Sequence, residues 1–308
     1  MSFNLNALLL AIVFSFLTGL AIQRGGTCTV AAIQEFIDKR TTNRIRALIE
    51  TALWVLAGEL ILTKFSLINL PVQNWQISLT TIAGAFFLGV GAFINGACTV
   101  GSIARIGNRE WDFLWAIPGF FTGAALLHWS NLPLLKPTPL DFQSTPILPS
   151  WMIVMIAALI LCRSVFAFRK GFQPYISTVS IGILFLGLVV INKAWSYTDL
   201  LIDLATFNNQ DYVFRLILFA TLLAGAIVGG RAQGSKNISL KKLTPNIFRR
   251  FLGGALMGAA ALTLPGGHDS LVLLYMPLLL GYAWLGFTTM ACTILLCKVI
   301  QKNAKKSS

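Results

Sequence analysis

Charged side chains are scarce in this sequence. Asp, Glu, Lys and Arg make up 11% of the 308 residues, whereas apolar residues make up 56%. Because a soluble domain carries about 25% charged residues, the composition excludes an ordinary soluble protein and indicates an integral membrane protein. The net charge of +13 does not indicate nucleic-acid binding, because the basic residues lie in short loops between apolar segments and no soluble domain of useful size is present.

Patterns typical of metal binding and of disulfide frameworks are also missing. The sequence has two histidines and five cysteines, without a Cys-x-x-Cys pair. All five cysteines lie in or beside apolar segments, so we expect no disulfide framework, no metal site and no cofactor. The cysteines are Cys28, Cys98, Cys162, Cys292 and Cys297.

Hydropathy divides the chain into nine candidate membrane spans, and several of them approach the roughly 20 apolar residues that cross a bilayer. The first lacks the basic start and cleavage site of a signal peptide, so we interpret it as a retained span. With the N-terminus outside, the inside segments hold 20 of the 24 Lys and Arg residues. The positive-inside rule therefore predicts an external N-terminus and a cytoplasmic C-terminus. The spans are approximately 5–23, 47–63, 77–94, 112–130, 150–167, 175–193, 212–229, 248–264 and 271–297.

The spans fall into two groups of four around a connecting span. Residues 1–130 form the first group, residues 131–174 contain a Pro-rich outer loop and the fifth span, and residues 175–308 form the second group and a basic tail. We therefore predict an all-α membrane protein with a 4+1+4 arrangement.

One short motif occurs twice, seventy residues apart. Residues 25–30 read Gly-Gly-Thr-Cys-Thr-Val, and residues 95–100 read Asn-Gly-Ala-Cys-Thr-Val. Each copy ends an apolar run with a Gly-containing turn and begins a short helix, whose free N–H groups and partial positive charge suit an anion. Ordinary packing of glycine and small cysteine in membrane helices is the alternative, but repetition favours a transport site. The supporting residues in these turns are Gly25, Gly26, Thr27, Asn95, Gly96 and Thr99.

The second half repeats this pattern more faintly. Residues 187–196 resemble the stretch that ends at Cys28, with Ser196 in the place of the cysteine, and residues 251–255 lead to a turn at 265–270. With an odd span between the halves, such a repeat is inverted, and inverted repeats place a substrate site near the midplane at broken helices. The alternative is that any two apolar helices ending in glycine look alike. We expect four short dented segments that narrow the protein at its centre, at 28–38, 98–106, 196–206 and 266–270.

Thiols at these turns suit a soft sulfur atom, because each is small, polarisable and a weak donor. Phosphate or nitrate would instead favour Arg and Lys. In the last span, Cys292 lies deeper than Cys297 and is the better candidate for lining the path, unless it is merely a small buried side chain. Asp269 is either a site residue or the cap of the last span. Glu59 lies near the outer end of its span, where a carboxylate can reach the interface, so a structural role and a functional role both stay open.

These motifs resemble the YeeE/YedE family, a sulfur-transport family of bacterial membrane proteins that import thiosulfate. The resemblance spans the chain and rests on residues 26–30, 95–101 and 266–270 and on Cys292. Within the third motif, the residues of interest are Gly266, Gly267, His268 and Asp269. His268 departs from the family pattern, in which Asn often precedes the Asp.

The resemblance implies nine spans, inverted halves, an hourglass shape and a path lined by Cys28, Cys98 and Cys292. It also implies thiosulfate import across the bacterial inner membrane and a small soluble sulfur-relay protein as partner, without enzyme activity. Two other functions stay open: transport of another soft sulfur or selenium species, and a membrane sulfurtransferase that works through a cysteine persulfide. A purely structural membrane protein is the remaining alternative.

Overall fold

A computed structural model describes most of the chain. The described residues are 5–64, 72–130, 132, 137–143, 155, 158, 162, 173–192, 196–208, 211–232 and 244–307. All structural statements below concern these residues.

The described chain is mainly α-helical, with long helices alternating with short ones. A 21-residue helix such as Leu5–Gly25 is about 31 Å long, enough to cross the hydrocarbon core of a bilayer. The helices are α1 (Leu5–Gly25), α2 (Thr29–Lys39), α3 (Asn43–Lys64), α4 (Leu79–Asn95), α5 (Thr99–Gly107), α6 (Ala116–Ser130), α7 (Gln173–Asn192), α8 (Tyr197–Ala205), α9 (Tyr212–Ala232), α10 (Thr244–Thr263), α11 (Gly267–Ser270) and α12 (Gly281–Ser307). A 3₁₀ turn (Trp111–Trp115) precedes α6, and a π-helical turn (Leu271–Tyr275) follows α11.

Two short strands accompany the helices, which make up nearly all of the secondary structure, as the all-α prediction expects. Strand β1 (Val72–Trp75) pairs antiparallel with β2 (Pro139–Gln143), with a register irregularity between Gln73 and Trp75. The strands join the segment before α4 to the segment after α6.

In the described residues, four helical segments are long and apolar enough to span a membrane, and the pair Asn246–Thr263 and Gly267–Tyr275, bent by 53°, adds a fifth if it counts as one span. The chain is therefore a multi-pass, mainly helical membrane protein, but this number does not establish the nine predicted spans. The four segments are Leu5–Lys39, Leu79–Gly107, Tyr212–Arg231 and Gly281–Ala304.

Two predicted spans differ from the structure or lie outside it. The span predicted at 271–297 is broken, because the π-helical turn is followed by turns and α12 begins only at Gly281. Pro277 explains the break, since proline lacks an N–H and its ring clashes with the preceding turn of a helix. The span predicted at 150–167 lies outside the described residues, apart from three helical positions at 155, 158 and 162.

The helix contacts relate the two halves of the described chain. Helix α1 packs on α9 and α7 packs on α3, while α4 packs on α12 and α10 packs on α6. Helices α1 and α7 also pack on each other, as do α4 and α10. The set is symmetric: if α1 is exchanged with α7, α2 with α8, and so on to α6 with α12, every contact in the set becomes a contact of the same set.

Glycines allow the closest of these helix contacts. A Cβ on Gly123 of α6 would lie 1.9 Å from the Ala255 carbonyl oxygen of α10, and a Cβ on Gly225 of α9 would lie 1.9 Å from the Phe16 carbonyl oxygen of α1. Small residues let helix backbones approach in this way where lipid supplies no hydrophobic driving force between helices. These contacts bring α6 against α10 and α9 against α1.

Candidate functional site

Glycines in the left-handed region reverse the chain at three of the predicted turns. Gly26 has φ 65°, Gly96 has φ 79°, and Gly266 and Gly267 have φ 100° and 53°. Glycine adopts these angles without the steric cost that a Cβ imposes. The turns therefore allow α2, α5 and α11 to begin immediately after α1, α4 and α10.

The two cysteines of the repeated motif are in contact. Cys28 is the N-cap of α2 and Cys98 is the N-cap of α5. Their Sγ atoms lie 3.5 Å apart, with the Cys98 thiol donating to Cys28. Both are buried, at 8% and 1% exposure. Two helix N-termini thus present adjacent thiols within the protein core.

Gly101 makes room for this thiol pair. Its backbone N–H donates to Cys98 Sγ at 3.4 Å. A Cβ at this position would lie 2.3 Å from Cys28 Sγ, a distance that real side chains do not adopt. The motif therefore extends in space to Gly101, one residue beyond the repeated Cys-Thr-Val.

The turn before Cys98 is supported by polar contacts. Asn95 Nδ2 donates to the Ala97 carbonyl and to Ser102 Oγ, both at 2.8 Å. Arg250 of α10 donates to the Asn95 carbonyl, and its Nε lies 2.9 Å from Asp112 Oδ2. A cation at the C-terminus of α4 is favoured by the helix dipole, so this arrangement holds the turn in place.

The turn of the second half meets the first motif. His268 Nε2 and Thr29 Oγ1 form a hydrogen bond of 2.7 Å between residues 239 positions apart. Asp269 accepts from the Thr198 hydroxyl of α8. Asp269 lies within α11, the following π-helical turn has Ser270 as its N-cap, and α12 begins only at Gly281, so the interpretation of Asp269 as the cap of the last span is wrong.

A serine at the N-terminus of α8 occupies the place that Cys28 has on α2. Ser196 is the N-cap of α8 and accepts from the Asp199 N–H at 3.1 Å. The Ser270 hydroxyl lies 2.9 Å from both Ser196 Oγ and Asp199 Oδ2. The second half therefore has a network of hydroxyl and carboxylate groups at the position where the first half has thiols.

Three cavities follow one another through these residues. A cavity of about 30 Å³ is lined by residues that include Ser196 and Asp269, and one of about 20 Å³ by Asp269, His268 and Thr27. Thr27 also lines a third cavity of about 340 Å³, together with Cys28. A cavity needs roughly 10–15 Å³ to hold a water, so each inner cavity has room for water but is far smaller than the third.

The structure places the remaining residues of the two cysteine turns around this pair. Gly25 is the last residue of α1, and Thr99 is the first residue of α5 and is buried at 2% exposure. Thr27 is also buried, and its Oγ1 has no hydrogen-bond partner in the described part of the protein. The hydroxyl of Thr27 is thus available between the two cavities it lines.

The structure does not bring Cys292 to the other two cysteines. Cys292 and Cys162 are exposed, whereas Cys297 is partly exposed. Helix α12 instead contributes Phe287, whose ring centroid lies 6.3 Å from that of His268. The role predicted for Cys292 stays a prediction.

Glu59 lies in the protein interior and not at the interface that its place in the sequence suggested. Its side chain does not reach an interface: the residue is 0% exposed, and neither carboxylate oxygen has a hydrogen-bond partner among the described residues. An unpaired buried carboxyl group is costly, which sets Glu59 apart from the hydrogen-bonded Asp199 and Asp269.

Several residues of this region were not predicted. Arg24, Arg44 and Arg105 line the polar cavity of about 340 Å³, whereas their sequence positions indicated only membrane orientation. Arg24 directly precedes the cysteine motif at 25–30, and this proximity was the available signal. In the part of the chain that the structure describes, no group of three or more His, Cys, Asp or Glu side chains is placed to hold a metal ion.

Comparison with known proteins identifies one family. A family model described as Sulphur transport matches residues 24–169 and, a second time, residues 162–296. The two matches together cover most of the chain and contain both cysteine turns and the His268 turn. No curated protein matches the chain.

Proposed function

Because the chain belongs to the sulphur-transport (YeeE/YedE) family, we propose that it imports thiosulfate through the centre of the helix bundle. The observation that carries this proposal is the buried contact between Cys28 and Cys98, whose Sγ atoms lie 3.5 Å apart at two helix N-termini. Sulphur transport follows from the family; thiosulfate as the substrate and the thiols as its contacts are the proposed part.

The chemistry of the pair suits transient contact with a soft anion. Each thiol is a weak hydrogen-bond donor, and the first N–H groups of α2 and α5 add partial positive charge. Transport requires binding that is favourable enough for entry and weak enough for release. Thiols at helix N-termini meet that requirement without placing an arginine in the membrane interior.

The proposed path follows the three cavities. Substrate enters on the side of Ser196 and Asp269, passes His268 and Thr27, contacts Cys98 and Cys28, and leaves through the cavity of about 340 Å³. Because the two inner cavities are small, this conformation is an occluded one, and the short helices must separate to let substrate pass.

The proposed architecture is two inverted halves. The halves are residues 1–130 and 175–308, joined by the loop and fifth span at 131–174, with nine spans in all. The exchange-related contacts of α1–α6 with α7–α12 and the two family matches support this division. We also propose that the protein lies in the inner membrane, with an external N-terminus and a cytoplasmic C-terminus. Its proposed partner is a small soluble sulfur-relay protein on the cytoplasmic side.

Growth of a cysteine-requiring, import-deficient bacterial strain on thiosulfate as sole sulfur source tests this function. The wild-type chain should restore growth, whereas Cys28→Ala and Cys98→Ala should not. Cys162→Ala is a matched control, because Cys162 is exposed; Cys292→Ala asks whether a third cysteine belongs to the path. Full growth with Cys98→Ala at equal expression would refute the thiol contacts.

Two further measurements separate the substrate and the reaction class. Uptake of labelled thiosulfate in the presence of sulfide, sulfite or selenium anions shows which species competes best. Mass spectrometry of the protein after exposure to thiosulfate should show no persulfide on Cys28 or Cys98, because a transporter leaves its substrate unchanged. A persulfide that forms at the rate of uptake would instead favour a sulfurtransferase.

A further inference from the structure

The polar cavity beside Cys28 has a wall rich in guanidinium groups. The cavity measures about 340 Å³ and lies at the end of α1, the start of α3 and the last turn of α5. Arg24, Arg44 and Arg105 line it, and Cys28 forms part of the same wall. We call this cavity the arginine vestibule. Its volume is more than ten times that of either inner cavity, which leaves room for a small hydrated anion.

The side chains that line the arginine vestibule carry a net positive charge. No Asp or Glu is among the described residues that line it. Arg44 Nε pairs with Glu35 at 3.2 Å, and Arg105 Nη1 pairs with Glu110 at 2.9 Å. Arg24 has no ion pair within the described ranges of the chain. One cationic charge therefore lacks a carboxylate.

Each paired arginine also keeps free donors. A guanidinium group has five N–H donors, and each of these ion pairs engages only one of its nitrogens. The side chains of Arg44 and Arg105 are each 45% exposed. Arg44 Nη1 lies 3.5 Å from the position that a Cβ on Gly26 would take, which places this nitrogen directly over the turn before Cys28.

Polar atoms join the vestibule to the thiol pair. Thr27 Oγ1 is buried without a hydrogen-bond partner in the described residues, and Thr27 lines both the vestibule and the cavity at His268. Gln23 donates to Asn108 at the vestibule wall. An anion that passes Cys28 thus meets hydroxyl and guanidinium donors immediately afterwards.

We propose that the arginine vestibule is a second anion-binding site, which takes a small divalent oxyanion by its oxygens. Planar guanidinium groups bind oxyanions through paired N–H contacts, whereas the thiols contact the soft sulfur. The two sites therefore recognise different ends of thiosulfate. That thiosulfate is the natural oxyanion rests on the proposed function; the affinity of the site for divalent oxyanions does not.

Equilibrium binding to the purified full-length protein in nanodiscs of uncharged lipid tests this site. Labelled thiosulfate and labelled sulfate are measured separately against wild type, Arg24→Gln/Arg105→Gln and Arg46→Gln. Arg46 is the matched control, because it is an exposed arginine two residues from Arg44 on α3 but does not line the vestibule. Cys28→Ser is included to separate the thiols from the arginines.

The double variant should bind both anions at least about tenfold more weakly, the size expected for losing hydrogen bonds to a charged group. Arg46→Gln should bind both anions like wild type, and Cys28→Ser should keep its affinity for sulfate. Unchanged affinity in the double variant, or an equal loss in Arg46→Gln, would overturn the site.

A second arm separates this result from the proposed function and from lipid binding. If the wild-type protein binds sulfate through the arginines but does not restore growth on thiosulfate, the proposed function fails and the site stands. If nanodiscs with anionic lipid abolish binding of both anions at low salt, the vestibule holds lipid headgroups and the oxyanion site is overturned.

Discussion

Cys98 donates its thiol hydrogen to Cys28 across 3.5 Å, although the two residues are 70 positions apart in the chain. The contact exists because each cysteine is the N-cap of a short helix that begins where a glycine turn reverses the chain. Both thiols are buried, so neither is held by solvent. The two glycine turns of the first half therefore meet at this thiol pair.

Gly101→Ala should displace the Cys28 thiol and impair uptake. The added Cβ would lie 2.3 Å from Cys28 Sγ and 2.9 Å from Cys28 Cβ, and overpacking of this kind costs about 1–3 kcal/mol. Thermal unfolding followed by intrinsic fluorescence, together with labelled uptake, measures both effects. Gly281→Ala is the control, because Ile77 Cδ1, at 3.5 Å, is the only atom of the described residues near its Cβ position. Equal uptake by the two variants would contradict the packing described for Gly101.

Mild oxidation should cross-link Cys28 and Cys98. A disulfide has an S–S length of about 2.05 Å, so the two sulfur atoms must approach by about 1.5 Å, a small movement for side chains at helix ends. Diamide, which accepts the two electrons and two protons, should yield a Cys28–Cys98 peptide pair by mass spectrometry and should block uptake until dithiothreitol is added. The pair should be missing in Cys98→Ser. Recovery of only Cys162 adducts would show that the buried thiols do not meet in the membrane.

Arg250→Gln should destabilise the turn before Cys98. Arg250 and Asp112 form an ion pair of 2.9 Å whose side chains are 13% and 12% exposed, and Arg250 also donates to the Asn95 carbonyl. Loss of the arginine leaves a largely buried carboxylate unpaired, at a cost of about 2–3 kcal/mol. The thermal midpoint should fall in Arg250→Gln and recover partly in Arg250→Gln/Asp112→Asn. Additive losses in the double variant would mean that the two groups are not coupled.

Glu59→Met should raise stability. The two carboxylate oxygens of Glu59 are buried without a hydrogen-bond partner in the described chain. Replacing this carboxyl group with an apolar side chain of similar length should raise the free energy of unfolding by about 1–3 kcal/mol. A higher thermal midpoint with normal uptake would identify a structural residue. A higher midpoint with lost uptake would instead identify Glu59 as functional, and a lower midpoint would contradict its lack of partners.

The amino-acid sequence alone indicated the membrane class, the family and most of the helix positions. Low charge and long apolar runs are local properties, and so are the glycine turns that end α1 and α4. The short helices lie at Thr29–Lys39, Thr99–Gly107 and Tyr197–Ala205, close to the segments expected at 28–38, 98–106 and 196–206. A local signal also existed for the break at Pro277, and the hydropathy of the surrounding residues concealed it.

Only the tertiary structure decided which side chains meet. A helix that is apolar all round has no preferred face in its sequence, so the burial of Glu59 and the exposure of Cys292 depend on how α3 and α12 are rotated against their neighbours. The hydrogen bond between Thr29 and His268 and the gathering of arginines around one cavity have the same origin. Contacts between residues far apart in the chain are set by packing between helices, for which the order of residues along one helix carries little information.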